Sequence, residues 1–355
     1  MTPFDRSMDD ATALVRQGRL QEATALIQSR LGAGTPPPEA PPMRDVTPPE
    51  GGFAAKPSAR PAPGFAETPG RRGGFAAKPP PEPGRFEERM HRGPHGAMAY
   101  KLFVPEGAGP GAPLLVMLHG CTQDPDDFAR GTRMNEAAAE RGVVVAYPRQ
   151  EASRNPNRCW SWFEPSQTGE AGEAAIIAAI AREVVAAQGC DGGRVFAAGL
   201  SAGGAMAAAL GVAHPDVFRA VGVHSGLAAG SARDMGSAFA AMAGRGGEAR
   251  PLAVPAIVFH GRADRTVAPV NAERIAEAGR AGRAKPKVLR AEAGGRSYER
   301  ARLPAEGRAG AVELWRVDGL GHAWSGGSAR GSHADAQGPD ASREMLRFFL
   351  DGPSR

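Results

Sequence analysis

Cysteine is scarce in this chain, and long apolar runs are missing. Of 355 residues only three are cysteine, Cys121, Cys159 and Cys190. They are too few and too odd in number for a disulfide framework, and their spacings match no zinc pattern. At most one bridge can form, and no metal site is expected. No stretch approaches the roughly 20 consecutive apolar residues of a membrane helix. The opening segment, MTPFDRSMDDATALVRQ, lacks the basic start and apolar stretch of a secretory signal, so the expected compartment is the cytoplasm. Charge of one sign is not concentrated either. The 43 Lys and Arg outnumber 38 Asp and Glu by a net +5, but the basic residues are scattered rather than gathered into a stripe that tracks phosphates, which argues against a nucleic-acid partner.

Composition divides what is there. Half of the 32 prolines fall between Pro36 and Pro94, in a stretch without apolar periodicity that cannot offset the entropy of ordering its backbone. Residues 34–85 are therefore expected to be a disordered Pro/Gly-rich linker. GGFAAKP occurs in it twice, at Gly51 to Pro57 and Gly73 to Pro79. The repeat is too short for a solenoid, and it reads either as slippage in a low-complexity segment or as a docking motif carrying Phe53 and Phe75. Ahead of the linker, Ala11, Leu14, Val15, Ala23, Leu26, Ile27 and Leu31 recur at helical spacing. Residues 1–33 thus predict one or two short helices, too small to own a core.

From Phe86 onward, short apolar runs alternate with helical patterns, the signature of a mostly parallel sheet flanked by helices. Residues 86–355 form the expected working domain. Phe86–His91 and Ala99–Val104 read as an opening hairpin. Leu114–Leu118, Val143–Tyr147, Val195–Ala198, Ala220–Val223, Ala256–Phe259 and Val312–Val317 read as six strands alternating with helices.

The reactive residue types fall where such strands end. A strand from Val195 runs into Gly199-Leu200-Ser201-Ala202-Gly203, followed by an Ala-rich helical run. The glycines suit a turn so tight that its neighbours carry no bulky Cβ while the serine Oγ is pushed above the sheet edge. Such a serine needs a base, and the base an orienting acid, arriving later in the chain in the order Ser, Asp, His. Asp264 follows the Ala256 strand; its competing role is to cap the next helix. Asp234 reads as a helix cap, and Asp318 lies too close to His322. His322 sits in the glycine-flanked Gly319-Leu-Gly-His-Ala-Trp-Ser-Gly-Gly, free to swing over the serine. His224 and His260 read as cleft-lining; His91, His95 and His333 read as solvent-facing. The developing oxyanion needs backbone N–H donors, assigned to Ala202 and to Cys121 after the Leu114 strand, with His119 holding that loop. Trp160, Trp162 and Trp324 are candidates for flat apolar substrate-binding walls, or else ordinary core. The short segment between Gly226 and Pro251 suggests a small cap and an open site.

The ordered run of LHGCTQ, NRCWSWF, CDGGRVFAAGLSAGGAMA, HGRADRTV and GLGHAWSGG resembles the poly(3-hydroxybutyrate) depolymerase family of serine esterases, which includes feruloyl and acetylxylan esterases. The resemblance implies an α/β-hydrolase fold, ester hydrolysis through an acyl-enzyme and no cofactor. It assigns Ser201 as nucleophile, Asp264 as acid, His322 as base and the Cys121 loop as oxyanion donor. It implies an ester substrate of the oligo- or poly(3-hydroxybutyrate) kind, with a feruloyl or acetyl ester as the alternative. A different class of reading is a non-catalytic adaptor holding a polymer or granule surface, with the N-terminal segment recruiting a protein partner. Members commonly carry a cysteine pair where Cys159 and Cys190 stand, so a bridge between those two is expected, unless a reducing compartment keeps them as thiols. Many members are secreted, which makes an extracellular or periplasmic location the alternative to the cytoplasm. Where many carry a proline after the Trp of the histidine loop, this chain has Ser325, expected to loosen the loop's grip on substrate.

Overall fold

A computed structural model describes residues 83–279, 286–303 and 311–352; these belong to one compact unit, Pro80–Arg355. The expectations for residues 1–33, for the GGFAAKP repeats and for all but the last three residues of the 34–85 linker lie outside the described residues. The strands are β1 (Gly84–Gly93), β2 (Gly96–Pro105), β3 (Leu114–Leu118), β4 (Val144–Pro148), β5 (Val195–Leu200), β6 (Ala220–His224), β7 (Ala256–Gly261), β8 (Lys287–Ala293), β9 (Arg296–Leu303) and β10 (Val312–Val317). They form one sheet in the order β1-β2-β4-β3-β5-β6-β7-β10-β9-β8. The six inner strands from β4 to β10 are parallel neighbours, and a hairpin closes each edge antiparallel. β11 (Trp324–Ser325) and β12 (Ala334–Asp335) pair separately.

Because side chains alternate across a strand, each inner strand feeds two cores at once. Leu114, Val116 and Leu118 join one core with Ile176, Ala205 and Ile275. Leu115 and Met117 join the other with Met134, Phe128, Met345 and Phe348. The first face is covered by α3 (Gly172–Gln188), α4 (Ala202–Ala213) and α6 (Val270–Ala278), the second by α1 (Pro125–Thr132), α2 (Met134–Arg141) and α7 (Ala341–Asp351). Burial on both faces is why these strands read as unbroken apolar runs. A Leu115→Ala change there costs about 2–5 kcal/mol. Asp124 and Asp340 cap α1 and α7, accepting from the N–H of Asp127 and Arg343. No helix of the described residues is long and apolar enough to cross a membrane.

The expected strands are present, but the chain between Ala256 and Val317 holds two more. β8 and β9 were not anticipated because charged residues interrupt both strands and few of their side chains are buried; an edge hairpin needs no apolar run. Its turn signal was nevertheless present, since Gly294 and Gly295 both take positive φ (56° and 77°), as a two-residue hairpin turn requires.

The chain runs from β3 to β4 on one side and then to β5 on the other. The loops after β3 and β5 therefore leave the sheet side by side at a topological switch point, where open parallel sheets hold their ligands. The cap after β6 is small: α5 (Met235–Ala240) runs into one wide turn, Ala241–Arg245. Asp234 caps α5 through the Ser237 N–H, as its sequence position suggested.

Candidate active site

Ser201 occupies the turn between β5 and α4 with φ 57° and ψ −120°, a region L-residues rarely enter and one that costs about 1–3 kcal/mol. The flanking glycines make this turn sterically feasible. A Cβ on Gly203 would lie 2.0 Å from the Leu118 carbonyl oxygen, and one on Gly199 would lie 2.5 Å from the Gly203 backbone. The Ser201 N–H donates to the carbonyl of His224 at 2.9 Å, tying the elbow to the end of β6. Ala202 opens α4, so its N–H has no partner within the helix.

Asp264 turns back after β7. Its Oδ1 accepts from the N–H groups of Thr266 and Val267, each at 2.9 Å, and its Oδ2 accepts from His322 Nδ1 at 2.8 Å. His260 Nε2 stands 3.4 Å from the same oxygen while donating to the Val267 carbonyl at 2.9 Å. Burial by itself would raise this carboxyl. The hydrogen bonds from His260 and His322, the charge of His322 and the Val267 N–H outweigh it and hold the pKa well below the usual carboxylate range. Asp264 does not cap the next helix, whose N-cap is Pro269 without a side-chain bond; one of its oxygens closes the local turn and the other holds an imidazole. With Nδ1 donating, His322 keeps Nε2 as an acceptor. Asp318 instead pairs with Arg262 at 3.0 Å. Among the described residues Ser201 Oγ has no hydrogen bond; the acid–base contact is closed and the nucleophile–base contact is open, as is common before substrate binds.

The loop after β3 lies against the elbow: a Cβ on Gly120 would sit 3.7 Å from that of Ser201. The Gly120 N–H donates to Gln123 Oε1, whose Nε2 in turn reaches Asp127 and Ser332. His119 Nε2 accepts from the Gln150 N–H at 3.1 Å, which leaves the proton on Nδ1, and Nδ1 meets the Gly120 carbonyl at 2.8 Å. Burial lowers the His119 pKa to about 4, so the ring is neutral at neutral pH. The Gly120 carbonyl and the Cys121 N–H share one trans peptide plane and point opposite ways. Pinning the carbonyl therefore aims that N–H, which makes no hydrogen bond within the described residues.

Several sequence expectations need correction here. The bridge is Cys121 to Cys159, with Cα atoms 4.3 Å apart, and not Cys159 to Cys190. Cys190 is a buried free thiol, packed in the core with its pKa pushed up to about 11 by burial. The Trp160 segment folds back onto the loop after β3, with Trp160 Nε1 donating to the His119 carbonyl, and this brings Cys159 to Cys121. Nor do the three tryptophans form an open wall. Trp160, Trp162 and Trp324 are all buried; Trp324 Nε1 donates to Ser342 Oγ and its ring packs on Phe128 and His224. Likewise His224 and His260 are buried rather than cleft-lining, and His91 is buried against Glu183 at 2.6 Å instead of facing solvent; His95 and His333 are exposed, as expected. Ser325, expected to loosen its loop, is fully buried and doubly held, its N–H on His224 Nε2 and its Oγ on the Pro339 carbonyl. Gln123 ends the LHGCTQ motif without having been given a role, Gln150 carries no motif signal, and His224 was read only as cleft-lining; sequence reading passed over all three as supports. Among the described residues no group of His, Cys, Asp and Glu is arranged to hold a metal ion.

A mostly parallel sheet with a strained serine elbow at the switch point, and an Asp–His pair on loops that follow later strands, defines an α/β hydrolase. A solved structure with this fold, an acetyl xylan esterase from Aspergillus awamori, matches with a TM-score of 0.56 at 19% identity, covering 66% of this chain and 94% of that one. The family model described as Esterase PHB depolymerase matches residues 98–280, and the chain belongs to that family. Its curated relatives include poly(3-hydroxyalkanoate) depolymerase C of Paucimonas lemoignei, 34% identical over 191 residues, which are 49% of this chain and 46% of that protein. Feruloyl esterase B of Thermothelomyces thermophilus is 31% identical over 139 residues, 39% of this chain and 47% of that protein. The chain thus spans about half the length of these relatives.

Proposed function

We propose that this protein is a serine carboxylic-ester hydrolase acting on oligo- or poly(3-hydroxybutyrate)-type esters. The observation that carries the reading is the 2.8 Å bond from His322 Nδ1 to buried Asp264, in a chain that also holds a serine in a strained elbow. In the reaction Ser201 Oγ bonds to the ester carbonyl carbon as His322 Nε2 takes its proton. The carbonyl oxygen becomes an oxyanion that the Cys121 and Ala202 N–H groups receive. Collapse breaks the bond to the leaving oxygen, which departs as the alcohol with the proton from His322. Water, deprotonated by the same imidazole, then releases the acid and restores Ser201. Asp264 stays ionised throughout and orients the ring.

The substrate class is supported by the small cap between β6 and β7, which leaves room for bulky or polymeric esters, and by the likeness to a protein named as a polyhydroxyalkanoate depolymerase. The likeness to feruloyl esterase B supports a second reading, an aryl-ester hydrolase. The Cys121–Cys159 bridge favours an oxidising compartment over the cytoplasm. The deciding experiment compares hydrolysis of p-nitrophenyl butyrate, methyl ferulate and 3-hydroxybutyrate oligomers, each with the Ser201→Ala variant as control. Serine-dependent turnover concentrated on the oligomers supports the first reading, and preference for ferulate the second. No serine-dependent turnover on any ester rejects both and leaves a binding adaptor.

A further inference from the structure

His224 is bonded to both the elbow and the histidine loop, and it does so from full burial. It ends β6, which lies between β5 and β7 in the sheet. Its carbonyl accepts from the Ser201 N–H at 2.9 Å, and its Nε2 accepts from the Ser325 N–H at 3.0 Å. With Nε2 an acceptor, the ring proton is on Nδ1, 3.2 Å from Ser225 Oγ. The ring is stacked between Phe259 at 5.7 Å and Trp324 at 5.0 Å. Burial, with His260 and His322 nearby, keeps it neutral by lowering its pKa well below the ordinary value, so the acceptor at Nε2 persists at neutral pH.

Ser201 follows β5 and His322 follows β10, with β6 and β7 between them. At the usual strand spacing those two strand ends are about 14 Å apart, so the histidine loop must be carried back across two strands. Small errors in its docking become large errors at the imidazole. We propose that His224 is a positioning residue for the ester hydrolysis: by holding the Ser325 N–H while its own carbonyl holds Ser201, it fixes the base loop relative to the nucleophile. The proposal rests on Ser201 and His322 being nucleophile and base.

The two partners of this bond can be removed separately. His224→Phe keeps a flat ring for the stack and deletes the acceptor. Ser325→Pro deletes the N–H together with the Oγ bond to Pro339, and Ser325→Ala, which deletes only the latter, is its reference. His224→Gln returns an acceptor oxygen near the Nε2 position. These variants, the His224→Phe/Ser325→Pro double and a His322→Ala control are made in the full chain, and kcat and KM are measured on p-nitrophenyl butyrate alongside thermal unfolding. His224→Phe is expected to lower kcat about 100-fold, the scale of a 1 Å misplacement, with KM within about twofold. His224→Gln should recover at least about tenfold of that, and the double variant should be no worse than the poorer single, the mark of a shared interaction. Losses that multiply in the double, or wild-type kcat in His224→Phe while His322→Ala is inactive, overturn the proposal. If His224→Phe does not fold, wild-type kcat in Ser325→Pro overturns it and a kcat-specific loss there supports it. Activity surviving in His322→Ala would instead remove the parent reading.

Discussion

The loops that leave β3 and β10 are both tied to the serine elbow, yet they are anchored by different chemistry. The first is fastened covalently, Cys121 to Cys159, and by a neutral ring, His119, that pins the Gly120 carbonyl. The second carries no covalent tie. It is held by one carboxylate on His322, by a neutral ring on the Ser325 N–H and by the packing of Trp324. On the proposed reading the contrast sets a covalently fixed N–H donor against an imidazole held by hydrogen bonds and packing alone. Both loops use buried neutral imidazoles as braces, because a neutral ring supplies one donor and one acceptor without the cost of burying a charge.

The largest effects should fall on the reacting groups themselves. Ser201→Ala is expected to lower kcat by about 10⁶-fold with unchanged folding, read by ester hydrolysis against the circular dichroism spectrum. Asp264→Asn, which keeps the shape but offers the wrong hydrogen-bonding partner to His322, should cost about 10⁴-fold; a loss under tenfold would show the base loop to be self-orienting.

The covalent half of the comparison is sharpened by cysteine variants. Opening the Cys121–Cys159 loop of 38 residues with Cys159→Ser should lower stability by about 3–4 kcal/mol, measured by urea unfolding. Cys190→Ala should cost about 1 kcal/mol at most, and thiol titration of the unfolded, unreduced chain should find one thiol. Equal losses in the two variants would mean that the bridge does not fasten the loop.

Acid should weaken both braces, and substitution should tell their shares apart. The folded pKa of His119 is about 4, below its ordinary 6.5. The unfolded state therefore binds more protons between these values, and stability falls as pH drops through that window. The His119 share is on the order of 3 kcal/mol, and His119→Gln should remove that share of the slope, leaving the one from His224, when unfolding midpoints at pH 7 and pH 4 are compared with those of the unsubstituted protein. Asp264, also depressed, weakens the fold only at lower pH, as its carboxyl protonates. The smallest effect is expected at the far edge, where Val288→Thr on the exposed strand β8 should change stability by less than about 0.5 kcal/mol.

Much of this was legible in the residues. The inner strands were readable because burial on two faces demands unbroken apolar runs, as in Leu114–Leu118 and Val195–Leu200. The elbow was readable because its two glycines answer to backbone contacts that no side chain survives. The β8–β9 hairpin escaped because strands without an unbroken apolar run leave only a turn signal, and the choice between wall and core for the tryptophans stayed open because an aromatic's identity says nothing about which side of it the solvent lies on. The order Ser201, Asp264, His322 and the loop bearing Cys121 were likewise fixed locally, by motif and strand end. Tertiary structure alone decided which cysteine meets Cys159, that His224 braces two distant loops, and that Ser325 anchors rather than loosens its own. Those are contacts between segments that local spacing does not relate, set by the strand order of the sheet and by the folding of loops onto one another.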